Sequence, residues 1–339
     1  AGYNLDLFTP QSVRPYTADG SVNLAHLLVG SEGTLSLTRS LNLKLSGLPA
    51  HKVLGIVNFP TFYQAMDAAQ HIVKLDQNRD LMAVELVDRT MIDLALQNPA
   101  FAPTMRTALS GDPAAILLVE FAGADLGSLK AQLSRLEALM GDLKLPGSVV
   151  CMTDPSAQRN LWEVRKAGLN IMMSLRGDGK PVSFIEDCAV PLENLAEYTS
   201  ALTEVFQRHG SRGTWYAHAS VGTLHVRPIL DMRKDGAKKM REIAEEASTL
   251  VKQFKGAYSG EHGDGLCRGE WIEWQFGPRI QEALVAIKQK LDPEGLLCPQ
   301  RIVNPPKMDD LSLMRYSPSY QVIPIKPALD WSAWDVQNE

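Results

Sequence analysis

Two short segments gather the residues of this chain that are equipped for chemistry. His218-Ala219-Ser220-Val221-Gly222-Thr223-Leu224-His225 carries two imidazoles seven positions apart, and Ser259-Gly260-Glu261-His262-Gly263-Asp264-Gly265 sets a carboxylate beside a third. Glycines within a helix each cost ~1 kcal/mol relative to alanine, so the second segment reads as a loop whose backbone can pass close to a ligand. If residues 218–225 form a tight hairpin turning near Val221-Gly222, His218 and His225 converge on one point. Two neutral imidazole nitrogens and one carboxylate oxygen, here Glu261, make a three-ligand set that suits Zn²⁺ and leaves a coordination position open for substrate. His262 is then left to act as a base, its side chain expected to diverge from that of Glu261. One strand histidine is more often structural than ligating. Two of them plus a Glu-His pair in a glycine-rich loop keep both readings open.

A substrate anion calls for cations. Arg165 and Lys180 are the candidates, since a guanidinium offers a two-pronged fork to a carboxylate and an ammonium a compact charge. Arg176 ranks beside them on sequence alone, whereas Lys166 and the basic residues of 233–241 read as a solvated helix face. Gly30-Ser31-Glu32-Gly33-Thr34 supplies backbone amides at a turn, a pattern that a plain loop also satisfies. No GxGxxG follows a strand and no Walker sequence is present, which removes support for a nicotinamide fold or a nucleotide hydrolase.

The elements that must position these residues alternate strand and helix. Strands are expected at 53–59, 81–87, 115–121, 148–153 and 182–190, followed by a hairpin of 214–218 and 223–228. Helices are expected from Pro60, after an Asp88 cap, over 126–140, after Asp154-Pro155, over 191–208 and 233–253, and as one piece over 271–291. Leu35, Leu37, Leu41, Leu43 and Leu45 recur as in a half-buried strand. The alternation suggests an α/β or α+β layer structure, an open sheet with helices on one face. The expected divisions are 1–47, 48–265 and 266–339.

Composition narrows the classes. A net charge of −5 gives no reason to expect a nucleic acid partner, and 45% hydrophobic residues allow a generous core. The four cysteines are dispersed without CxxC spacing, which fits a reducing cytoplasm, and no apolar run reaches the length of a membrane span. The first residue is not methionine, and the chain reads as a piece of a longer polypeptide.

Taken together, these segments resemble the FAD-linked 2-hydroxyacid dehydrogenases of the vanillyl-alcohol oxidase superfamily. Gly2-Tyr3-Asn4-Leu5 and the Gly30 to Leu35 turn look like the closing part of that family's FAD-binding domain. Glu186 to Pro191 looks like a strand of its cap. His218 to His225 and Gly260 to Gly265 are similar to its histidine segment and its GEHGDG loop. Asp292 to Leu297 with Asn304-Pro305 resembles its C-terminal return to the flavin. The resemblance implies the α+β form of the fold, with the open sheet largely antiparallel. It implies FAD contacts from Gly30, Ser31, Glu32, Gly33, Thr34 and Asn304, and a divalent metal, zinc, on His218, His225 and Glu261. It also implies His262 as base and Arg165 and Lys180 as substrate ligands. The implied reaction oxidises lactate, 2-hydroxyglutarate or glycolate. Electrons would pass to a quinone, cytochrome or flavoprotein, in the cytoplasm or peripherally at the inner membrane. Two departures stand out: Ser220-Val221 replaces a Gly-Asp and Thr223 an Asn. The family's pyrophosphate-binding stretch has no counterpart here, so the chain is expected to hold only a remnant of the FAD domain beside the cap. Residues 315–334 resemble the lead into an iron–sulfur domain in longer relatives. Rival readings of the same His/His/Glu set are a zinc hydrolase and a non-catalytic metal-binding module.

Overall fold

A computed structural model describes residues 2–9, 15–76, 79–316, 320–321, 326 and 328–330. The resemblance at 315–334 falls largely outside that set. In chain order the helices are α1 (Ala25–Leu28), α2 (Phe62–Val73), α3 (Arg89–Gln97), α4 (Ala102–Ala108), α5 (Leu126–Asp142), α6 (Pro155–Lys166), α7 (Gly168–Met173), α8 (Leu195–Arg208), α9 (Gly236–Gln253), α10 (Trp271–Phe276) and α11 (Pro278–Leu291). The strands are β1 (His51–Phe59), β2 (Leu81–Asp88), β3 (Ala115–Gly123), β4 (Val149–Met152), β5 (Lys180–Pro181), β6 (Gly213–His218) and β7 (Thr223–Leu230). Two compact units emerge, one of residues 1–45 and 257–317, the other of 46–256 and 318–339.

The second unit is a sheet of order β4-β1-β3-β2-β6-β7-β5 in which every pair is antiparallel. Four of its helices start where a side-chain oxygen can accept from an otherwise orphaned amide. Thr61, Asp88, Asp125 and Asp154 cap α2, α3, α5 and α6 by accepting from the amides of Gln64, Met91, Ser128 and Ala157. The expected helical layer is present, and a second set of helices covers the other sheet face. Leu54 and Ile56 of β1 pack in one cluster with Met91, Met105, Leu161 and Ile171 of α3, α4, α6 and α7. Gly55, pointing the opposite way, lies against α5, where an added Cβ would sit 2.6 Å from Leu136. On that same opposite side Phe62 and Phe206 pack against Trp215 of β6.

Three expectations are corrected in this unit and its linker. The strand expected at 182–190 pairs with β7 only at its ends, Lys180 with Leu230, Pro181 with Ile229 and Ala189 with Thr223. Between those contacts it has two residues more than β7, and the excess arches away as a wide bulge. The helix α4 was not expected; Pro103 in its first turn supports it. The leucine alternation of 35–45 does not make a strand. Residues 35–49 pair with no described strand, and Leu37, Leu41, Leu43, Leu45 and Leu48 are exposed, at 71% to 96%.

In the first unit, Tyr3, Leu35, Ile272, Leu284, Ile302 and Val303 form a small core. The helix expected over 271–291 is two helices, because Gly277 at φ 85° ends α10 and Pro278 opens α11. Loop 257–265 groups with this unit rather than with the sheet. Both carboxylate oxygens of Glu32 accept from the amides of Asp264 and Gly265, at 2.7 and 2.9 Å, and Asp264 accepts from the amide of Gly2.

Candidate active site

The histidine hairpin is built as its spacing suggested. His218 ends β6, a short turn ending at Gly222 (φ 71°) follows, and Thr223 pairs back with His218. Gly222 permits no side chain, since an added Cβ would lie 2.0 Å from the carbonyl oxygen of Val190. His225 stands opposite Tyr216, two residues along from His218 in the ladder, so all three side chains share one face. The two imidazoles meet edge to face with centroids 4.8 Å apart.

Each ring is oriented through its Nδ1. In His225 this nitrogen lies 3.1 Å from the backbone carbonyl oxygen of Glu186. A carbonyl only accepts, so Nδ1 carries the proton and Nε2 the lone pair. In His218 the Nδ1 lies 2.7 Å from Oε1 of Glu85, a carboxylate that also only accepts when ionised. Its Nε2 likewise carries the lone pair. This donor set, two adjacent Nε2 lone pairs with both Nδ1 groups committed to acceptors, fits a divalent transition metal. The bulge, residues 183–187 between the bonds of Val182 to Pro228 and of Leu224 to Cys188, turns the carbonyl of Glu186 toward His225 of β7.

Glu85 also binds Arg165, whose Nη2 donates to Oε2 at 2.7 Å, with both side chains largely buried. The guanidinium of Arg165 lies 4.7 Å from the Tyr216 ring centroid and that of Arg227 5.0 Å from it, both within cation–π range. Burial raises the Tyr216 phenol above its ordinary pKa, and the neighbouring Arg227 works against that shift. Arg227 in turn pairs with Glu186 and donates to Ser183 Oγ at 2.9 Å. A cleft of about 830 Å³ opens beside Glu85 in this unit, walled by Lys52, Glu120, Gln158, Trp162 and Lys166. Glu120 accepts there from Lys52 and from the Trp162 indole, at 2.8 and 2.9 Å.

In the first unit, Glu261 and His262 sit on the glycine loop with half-exposed side chains. The expected divergence of this pair is not seen, for His262 Nε2 lies 3.7 Å from Glu261 Oε1. Gly263, at φ 81°, leaves the room that Glu32 occupies; an added Cβ would lie 2.7 Å from Glu32 Oε1. The Gly30–Thr34 turn is internal to the unit. Thr34 bonds Tyr3, Ser31 is buried, and the Lys288 ammonium donates to the Thr34 carbonyl at 2.7 Å. Its residues at positive φ (Gly30, Glu32, Gly33) set a tight turn whose exposed glycines leave backbone that a cofactor can approach closely. Among the described residues, no glycine-rich loop opens a helix as a pyrophosphate-binding turn does. Asn304 adopts φ 52° and is exposed. A cavity of about 660 Å³ in the same unit is walled by Tyr3, Tyr258, Trp271 and Phe276.

The structure thus brings His218, His225 and Arg165 together on one sheet face, and Glu261 with His262 on one loop. Lys180 is not beside the histidines. It lies five residues along β7 from His225, and its Nζ donates to the Leu175 carbonyl at 2.6 Å. Glu85 and Tyr216 escaped the sequence reading, whereas Arg227 was visible in it as a cation at the end of the hairpin. Tyr216 could have been found, since it lies two residues from His218 and shares its face; Glu85 carried no such signal.

A family profile described as FAD linked oxidases, C-terminal domain, matches residues 48–302. The chain belongs to that family. It is 31% identical over 297 residues to a D-2-hydroxyglutarate dehydrogenase of Haemophilus influenzae, an alignment covering 85% of this chain and 28% of the relative. It is 26% identical over 287 residues to the mitochondrial D-lactate dehydrogenase [cytochrome] of Arabidopsis thaliana, covering 84% of this chain and 48% of that one. The chain therefore spans between about a quarter and a half of these relatives' length. Among solved structures it is similar in fold to p-cresol methylhydroxylase with substrate bound, at TM-score 0.56 and 14% identity over 75% of this chain and 53% of that one. Among the described residues no helix is long and apolar enough to cross a membrane.

Proposed function

We propose that this chain is the substrate- and metal-binding part of an FAD-dependent enzyme that oxidises a D-2-hydroxyacid to the 2-oxoacid. The acid is of the 2-hydroxyglutarate, lactate or glycolate class. The observation that carries the reading is the pair of oriented imidazoles, each with Nδ1 committed to an acceptor, on the sheet face that holds the buried Arg165. Names of the similar proteins support the substrate class.

FAD, when bound by the intact protein, supplies the acceptor for the hydride that leaves the α-carbon. His218, His225 and Glu261 would hold a divalent ion, zinc by donor type, which when bound supplies positive charge at the substrate hydroxyl. The chain's own residues do the remainder. Arg165 orients the substrate carboxylate so that the α-carbon presents its hydrogen; Lys180, five residues along β7 from His225 and bonded to the Leu175 carbonyl, takes no part. The imidazole of His262 takes the proton from the hydroxyl oxygen as the carbonyl forms. Electrons would leave for a quinone, cytochrome or flavoprotein acceptor.

The test is an assay of the longer protein against a panel of D-2-hydroxyacids with an artificial electron acceptor, with and without chelator. Flavin-dependent turnover that stops on metal removal is expected. Hydrolytic activity without flavin, or oxidation indifferent to His218→Ala, would refute the reading.

A further inference from the structure

We propose that Glu85 is a positioning residue that locks the metal ligand His218 and the substrate cation Arg165 into a single unit. The inference rests on the proposed function and goes beyond it, since the β2–β6 register rather than any sequence motif brings this residue to the site.

The geometry is specific. The two carboxylate oxygens divide their work: Oε1 faces His218 Nδ1 at 2.7 Å and Oε2 faces Arg165 Nη2 at 2.7 Å. Neither contact depends on a mobile loop. Glu85 and His218 are direct partners in the β2–β6 ladder, so their side chains stand side by side by register. Arg165 comes down from α6 onto the same face, where the Tyr216 ring supports its guanidinium. Burial strengthens both contacts, for the Glu85 side chain is 10% exposed and that of Arg165 13%.

The chemistry follows from the asymmetry between the two histidines. His225 leans on a neutral carbonyl, whereas His218 leans on an anion. A carboxylate behind an imidazole fixes its Nδ1–H tautomer and raises the basicity of Nε2, which makes it the better metal donor. The same anion keeps Arg165 extended across the face. Ligand and cation thus share one anchor, and their spacing is set by the bite of one carboxylate.

The test compares Glu85→Gln and Glu85→Ala with Glu120→Gln in the chain as described. Glu120 is the matched control, a buried carboxylate on the same face bonded to Lys52 and Trp162 but to no histidine. Zn²⁺ affinity is read by competition with a chromophoric chelator, and the histidine tautomers by ¹⁵N NMR of the metal-free protein at one alkaline pH. Glu85→Ala should weaken Zn²⁺ binding about 10- to 100-fold and move His218 off the Nδ1–H tautomer. Glu85→Gln, which keeps one acceptor oxygen and nearly the same volume, should weaken it less. Glu120→Gln should change neither readout. Unchanged affinity and tautomer in both Glu85 variants would overturn the proposal, as would an equal loss in Glu120→Gln. Should His218→Ala and His225→Ala leave Zn²⁺ affinity unaltered, the metal reading itself fails, an outcome distinct from failure of the Glu85 role alone.

Discussion

Replacing Asp88 with asparagine should change how stability depends on pH. Asp88 ends β2 and is buried; its Oδ1 accepts from the amide of Met91, capping α3, and its Oδ2 from the amide of Trp215, at 2.8 and 2.9 Å. The second bond ties β6, the strand of His218, to the end of β2. Burial pushes this carboxyl from 3.8 up to about 6, the two amide bonds working against that shift. With the folded value raised above the unfolded one, the group's contribution to stability is fully present below about pH 3.8 and is lost as pH rises through about 6. At about pH 5 the carboxyl is roughly nine-tenths protonated when folded and roughly one-twentieth when unfolded, a difference that stabilises by ~1.4 kcal/mol and has vanished by about pH 7.5. Asparagine caps α3 but offers one oxygen where two are used, a cost of ~1–3 kcal/mol that does not vary with pH. The stability gap between wild type and Asp88→Asn should therefore be wider at about pH 5 than at about pH 7.5 by ~1.4 kcal/mol, or ~3–6 °C in Tm for a unit of this size. Urea and thermal unfolding at the two pH values measure it. A gap that stays constant between them refutes the buried-carboxyl argument.

Gly222→Ala should destabilise the sheet unit by on the order of 3 kcal/mol in urea unfolding, since it combines a left-handed backbone with a Cβ pressed into the Val190 carbonyl. In the longer protein, His262→Ala should lower kcat by ~10²–10⁴-fold with zinc content by atomic emission unchanged, as expected for loss of a general base; loss of the metal would show that His262 ligates instead. Glu261→Ala should lower zinc content and turnover together, and retention of both would remove it from the ligand set. Arg165→Lys should raise KM for the hydroxyacid more than it lowers kcat, because an ammonium cannot grip Glu85 and a substrate carboxylate with one planar fork; an unchanged KM would remove Arg165 from the substrate site.

What the sequence disclosed depended on how local each cause is. The caps at Asp88, Asp125 and Asp154 act within three residues, and the helices after them begin where the pattern indicated. The histidine hairpin was legible because Gly222 marks its turn and both imidazoles lie within it. The bulge before Val190 was not legible, because a run such as Val182 to Val190 looks the same whether it pairs throughout or arches away. Glu85 was hidden for another reason: it reads as an ordinary polar residue in a strand, and only the β2–β6 register brings it to a histidine 133 positions away. The leucines of 35–45 misled because alternation shows which side of a strand is apolar, not that a partner is present.

That last stretch bears on how this polypeptide behaves in a tube. Residues 35–49 form neither helix nor strand, five of their leucines stand in the open, and their backbone pairs with no described strand. A stretch of that kind is a template for another chain, and like segments from two molecules can zip together through main-chain hydrogen bonds while their leucines interleave. Concentrated preparations of this piece should thus gather into soluble oligomers through a region remote in sequence from the chemistry. A lysine at Leu41 or Leu43 is the conservative remedy for keeping the molecule single while the site is studied.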